Sequence, residues 1–253
     1  MVYLMESLPL LNPTLTYEVY GFDVNDHGVQ VQGYFEESIR FLTARLPDIL
    51  WAEKLSLITS SDPWPYPDRQ FDIIVSNQVL EHVHDHDLFF SEIYRTLRDG
   101  GCAVHLFPLK HHLIESHLWL PFVHHIKHFD LLRFSIKGLS RLGLGKYLAF
   151  KRDIGMNLDE YAERNADFIH YFTNYLRYQD FLNLAKRYKL RASYRYTQEY
   201  YYRKASAMLG RHPVFTYSTH RSGLMDWLAV AFLKYVSSVT LFLEKKETYS
   251  SKE

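Results

Sequence analysis

Residues 71–101, FDIIVSNQVLEHVHDHDLFFSEIYRTLRDGG, decide the fold. Ile73, Ile74 and Val75 form a β-branched run after Asp72. It is too short for a helix and suits a strand covered on both faces. Ser76, Asn77 and Gln78 then bring polar groups to that strand's carboxyl end, where open α/β sheets bind ligands. Phe89, Phe90, Ile93, Tyr94 and Leu97 recur at helical spacing, with Asp87 as the expected cap and Gly100-Gly101 as the expected left-handed stop. Residues 103–107 resume as a strand that Pro108 breaks.

Composition narrows the classes. A chain of 253 residues, 47% hydrophobic and 23% charged, can bury a sizeable core, so a globular protein is expected and a disordered one excluded. The single cysteine, Cys102, rules out a disulfide within the chain and points to a reducing, cytoplasmic compartment. MVYLMESLPLLNP has an early glutamate and no basic start, unlike a signal peptide. The apolar residues 224–243 are interrupted by Asp226, Lys234 and two serines, which predicts a helix and then a strand rather than a membrane span.

Strand, polar loop, helix, Gly-Gly, strand is an order that resembles the second half of class I S-adenosylmethionine-dependent methyltransferases. The resemblance is to the small-molecule group called methyltransferase type 11. Its fourth strand reads roughly FDxVxSxxVLEHV, against FDIIVSNQVLEHV here, and its next helix ends R-x-L-(K/R)-x-GG, against YRTLRDGG here. The resemblance implies an α/β fold with a Rossmann-like sheet, mostly parallel with a C-terminal antiparallel strand. It implies S-adenosyl-L-methionine as cofactor and a small-molecule methyl acceptor, methylated on oxygen or nitrogen by in-line transfer.

The same resemblance assigns site residues. Residues 17–24 read as a strand whose acid, Asp23, takes the place that hydrogen-bonds the cofactor ribose; two acceptor oxygens suit a cis-diol. Residues 33–46 carry a helical apolar face and residues 55–58 a third strand. In ITSSDPWPYPD the acid expected near the adenine amino group is replaced by Ser60, with Asp62 two residues on. Asp62 either serves through a shifted loop or only starts the turn before Pro63; Trp64 either stacks on adenine or anchors the loop. Asn77 and Gln78 are expected along the cofactor's edge. Glu81 and His82 follow the strand where an acceptor would lie, and a histidine there can take its proton. The bland alternative is that the pair orients the loop or caps a helix.

No metal is expected. Ubiquinone-pathway and small-RNA O-methyltransferases bind a cation through Glu-x-x-Glu-His, but here the first glutamate is Gln78, a poorer ligand for a hard cation. Seven histidines between His105 and His128 form no tight metal motif.

One family element is missing. The family's first strand and its GxGxG-like loop would precede residue 17, and the eleven glycines never form that pattern. The expectation is a truncated product of an ordinary methyltransferase, the alternative a degenerate, non-catalytic remnant. The expected organisation is a partial cofactor-binding core over residues 1–108, a helical lid or substrate insertion over 109–165, and the rest of the same fold over 166–247. Residues 167–184 read as one helix, 191–202 as a strand and 236–245 as the last strand.

Charge is uneven. Residues 1–100 hold 16 acidic and 6 basic residues, a net of −10, and residues 101–253 hold 13 acidic and 23 basic, a net of +10. Attraction between faces of one fold explains this, and so does an anionic substrate. The basic, amphipathic residues 131–150 pack as part of the lid or touch a membrane surface peripherally. Nine Lys and Arg among the tyrosines of residues 177–211 keep an RNA-directed methyltransferase or nucleic-acid-binding protein as the alternative function, though the zero net charge argues against it.

Overall fold

The computed structural model describes residues 2–26, 33–211 and 223–246. It separates into two units, Met1–Tyr66 and Pro67–Glu253.

The first unit runs α1 (Val2–Leu11), β1 (Gly21–Val24), α2 (Tyr34–Arg45), α3 (Trp51–Lys54) and β2 (Leu55–Ile58). β1 and β2 pair in parallel, Gly21 opposite Leu55 and Val24 opposite Ile58. The strand read over residues 17–24 thus shrinks to four residues. Among its described residues, Leu42, Trp51 and Trp64 are the buried apolar side chains. Trp51 Nε1 donates to the Leu46 carbonyl (3.2 Å), so this large ring is buried with its polar handle satisfied.

The second unit runs β3 (Phe71–Asn77), α4 (His86–Thr96), β4 (Leu97–Phe107), β5 (Ile114–Glu115), β6 (Leu120–Pro121), α5 (Phe129–Arg141), α6 (Tyr147–Ile154) and α7 (Leu158–Tyr171). It continues with α8 (Tyr178–Arg187), β7 (Leu190–Ser193), α9 (Thr197–Met208), α10 (Gly223–Val236) and β8 (Val239–Lys245). Its main sheet has the order β3-β4-β8-β7. β3 and β4 are parallel and β8 runs antiparallel to both neighbours, which bears out the expected α/β fold with a C-terminal antiparallel strand. The strands form separate hydrogen-bonded sheets, β1-β2 in one unit and the four-stranded sheet in the other.

Several expectations need correction. β3 is an edge strand covered on one face only: Ile73 and Val75 stay 56% and 49% exposed. The cap of α4 is Asp85, whose carboxylate accepts from Leu88 N (2.9 Å); Asp87 pairs instead with Arg187 and Tyr188. Gly100-Gly101 do not stop that helix, which ends at Thr96. They lie in β4, where the register jumps from Phe71 opposite Leu97 to Ile73 opposite Cys102. Gly100 has φ +81° there, and a Cβ on Gly101 would meet the Arg98 carbonyl at 2.9 Å.

The helix read over residues 167–184 is two helices, broken between Tyr171 and Tyr178, where Asn174 turns to hold another loop. The strand read over 191–202 is β7 and then α9. Glu199 and Arg203, four residues apart, pair at 2.7 Å and favour the helix. α5, α6 and α7 enclose a core of their own around Leu132, Ile136, Tyr147, Tyr161 and Ile169. No helix among the described residues is long and apolar enough to cross a membrane.

Candidate functional site

Beyond β3 the chain turns sharply. Gln78 takes φ +55°, a left-handed conformation uncommon without glycine, and its N–H donates to the Leu106 carbonyl (2.7 Å). A single 3₁₀ turn, Leu80–His82, follows. It is pinned from a distance. Asn174 N donates to the Glu81 carbonyl (2.6 Å), Asn174 Nδ2 to the carbonyls of Val83 and His84 (both 3.1 Å), and His86 Nε2 to the Leu80 carbonyl (3.0 Å).

This places Glu81 in the interior, 1% exposed, with neither carboxylate oxygen hydrogen-bonded. Burial pushes its carboxyl up to about 7; its own N–H pulls the other way without aligning for a hydrogen bond. His82 Nδ1 lies 2.7 Å from the Phe172 carbonyl. A carbonyl only accepts, so Nδ1 carries the proton and Nε2 the lone pair.

A second group meets this pair from the β5–β6 hairpin. The buried Glu115 accepts from His117 Nδ1 (2.6 Å), Leu118 N (2.6 Å) and the Tyr175 hydroxyl (2.9 Å). Burial acts to raise Glu115, but the bonds from His117 and the Leu118 backbone outweigh it and hold the carboxyl below its ordinary value. Burial, with the Glu115 carboxylate close by, pushes the Tyr175 phenol far up, so it stays a donor. The His82 and His117 rings stand 5.1 Å apart, and both lie against Phe168. Glu81, His82 and His117 each bring a ligand-capable atom within 4.8 Å of the other two.

The motif singles out Glu81 and His82 but not Glu115, Asn174 or Tyr175, and His117 stands in the sequence only among seven histidines between His105 and His128. Their separations from Glu81, 34 to 94 residues, obey no motif spacing.

The other predicted residues divide by unit. In the first, Asp23 Oδ1 accepts from Val24 N (2.8 Å) at the carboxyl end of β1. Ser60 donates its N–H and hydroxyl to Asp26 (2.8 and 2.7 Å), and Asp62 accepts from Thr59 N (2.8 Å), so both brace the loop after β2. Trp64 packs 5.1 Å from Phe22. In the second, Asn77 is exposed at the end of β3, and Gln78 Nε2 donates to Ser238 Oγ (3.0 Å).

Comparison with known proteins agrees with the motif. Residues 6–105 match the family model described as "Methyltransferase domain". A protein of Mycolicibacterium smegmatis named "Probable S-adenosylmethionine-dependent methyltransferase" is 37% identical over 89 residues, 33% of this chain and 32% of that protein. The chain thus aligns with about a third of the length of this curated relative. Among solved structures, an S-adenosylmethionine-dependent methyltransferase from Mesorhizobium loti is similar at TM-score 0.41 and 12% identity, covering 96% of this chain and 100% of that one. Geranyl diphosphate C-methyltransferase from Streptomyces coelicolor is similar at TM-score 0.43 and 12% identity, covering 96% of this chain and 69% of that one. Both structural likenesses are too remote to bear on chemistry. By the match over residues 6–105 and the motif within it, this part of the chain is similar to methyltransferase domains.

Proposed function

We propose that this chain is an S-adenosylmethionine-dependent methyltransferase acting on a small-molecule acceptor through oxygen or nitrogen. One observation carries the reading: the family match over residues 6–105 spans both Asp23, at the carboxyl end of β1, and the Glu81-His82 turn after β3.

S-adenosylmethionine would supply an electrophilic methyl group on a sulfonium sulfur. The donor set at β1 suits its ribose. Asp23 Oδ1 is engaged by the Val24 N–H, and Oδ2 is the acceptor it offers a diol. Ser60 and Asp62, held in the loop after β2, are the candidates on the adenine side. Asn77 and Gln78 keep their proposed place on the cofactor's edge.

On the acceptor side, the fixed tautomer of His82 supports a role as base in the metal-free chain. Its Nε2 would accept the proton of the acceptor's O–H or N–H as the acceptor takes the methyl group that bound S-adenosylmethionine would supply. Alignment and exclusion of water supply the rest of the rate.

Calorimetry with S-adenosylhomocysteine tests the assignment. Asp23→Ala should weaken binding about 10- to 100-fold, the worth of charged hydrogen bonds. His82→Ala should leave that affinity nearly unchanged and lower turnover about 10²- to 10⁴-fold, the range for a general base. The reverse order of effects on binding sinks the reading.

A further inference from the structure

We propose that Glu81, His82 and His117 form a binding site for one divalent first-row transition-metal ion. Metal binding here goes beyond the methyl-transfer reading and does not depend on it; only the use of the open position by an acceptor rests on that reading.

Convergence is the first observation. One ligand-capable atom from each residue lies within 4.8 Å of the other two. Ligand atoms of a tetrahedral ion at about 2.0–2.2 Å sit about 3.3–3.6 Å apart, so combined side-chain shifts of at most about 1.5 Å per pair close the shell.

Orientation is the second. His82 commits Nδ1–H to the Phe172 carbonyl and His117 commits Nδ1–H to Glu115, which leaves both rings with the lone pair on Nε2. Glu115 is braced by Leu118 N and Tyr175. A buried carboxylate behind an imidazole is the arrangement that fixes the tautomer of metal-bound histidines and strengthens them as ligands.

Glu81 is the third. Two buried carboxylate oxygens without a hydrogen-bond partner are costly in any interior. A dication between them and two neutral imidazoles also balances the two negative charges of Glu81 and Glu115. The protein groups nearby give a donor set of one oxygen and two nitrogens. That set suits Zn²⁺, Co²⁺, Fe²⁺ or Mn²⁺ better than Mg²⁺ or Ca²⁺, which prefer oxygen throughout. Three protein ligands leave a coordination position open, where an acceptor oxygen could bind and lose its proton more readily. In that state His82 acts as a ligand and the cation replaces it in lowering the acceptor's pKa. Gln78 takes no part, since its amide is turned to Ser238.

The test is metal binding by the whole chain without cofactor, after removal of metals by a chelator. Co²⁺ followed by its visible absorption, and Zn²⁺ followed by calorimetry, should each bind at one equivalent. Glu81→Gln and His117→Gln should each weaken binding at least 10-fold, and Glu115→Gln, which touches no metal, about 10- to 100-fold. His124→Gln, a half-buried histidine outside the cluster, should leave binding unchanged. Zn²⁺ should also raise the melting temperature of the wild type. If a variant fails to fold, the wild-type stoichiometry and melting shift decide. Absence of binding, or binding that Glu81→Gln and His117→Gln leave intact, overturns the proposal.

Discussion

His105 illustrates what one side chain can impose. It is wholly buried in β4, with Nδ1 2.7 Å from Ser76 Oγ and Nε2 without a partner. Burial lowers its pKa to about 3. In the unfolded chain a histidine titrates near 6.5, so below that pH the unfolded state takes up a proton that the folded state refuses. Stability is therefore fully present above pH ~6.5 and is lost as pH falls towards ~3, by up to ~1.4 kcal/mol per pH unit for this group. Urea unfolding at pH 7 and pH 5.5 should show a steeper loss for the wild type than for His105→Gln. Parallel losses would mean that His105 is not the neutral group described. Glu81 and His82 were visible at this scale because they stand beside a recognisable strand. Ser60 and Asp62 were visible too, but their bonds to Asp26 and Thr59 could not be read from ITSSD.

Helix boundaries show where neighbours override local signals. α4 stops at Thr96, four residues before the double glycine. Lys245, 149 residues later and buried, donates to the carbonyls of Tyr94 (2.7 Å) and Leu97 (2.8 Å). An ammonium group at the last turn satisfies orphan carbonyls and meets the negative end of the helix dipole. Lys245→Met should cost about 1.5–3 kcal/mol in urea unfolding, the range for hydrogen bonds from a charged donor. A change under 0.5 kcal/mol, within the ordinary scatter of surface substitutions, would deny it that role. Asn174 plays the matching part between α7 and α8. It breaks what reads as one helix and fastens the 81–84 turn instead. Asn174→Ala should loosen that turn, seen as faster amide exchange at His82 and Val83 with the exchange of β8 unchanged. Both residues act across long stretches of sequence, which is why periodicity alone misplaced these two boundaries.

The two units differ in how much they bury. Among the described residues, 1–66 bury Leu42, Trp51 and Trp64, whereas the second unit closes a sheet core around Phe107, Phe181, Leu241 and Leu243 and a helical core around Leu132, Ile136 and Tyr161. Apolar burial is the main stabilising term, and small units bury the least of it. In native-state hydrogen exchange the amides of β1 and β2 should therefore exchange well before those of β4 and β8. Equal protection would mean that the chain opens only as one cooperative body.

The sequence by itself determined the strand–turn–helix–strand segment, the resemblance of residues 6–105 to methyltransferase domains, and the elements that local pattern controls: α2, β2, α10 and β8. Short apolar runs, helical spacing and a chain-local motif carry those without help from distant residues. Only the tertiary structure decided that β3 is an edge strand, that Lys245 ends α4, and that His117 and Glu115 face Glu81 and His82. Each of those outcomes depends on hydrogen bonds or burial between residues far apart in the chain, and no spacing along the sequence encodes them.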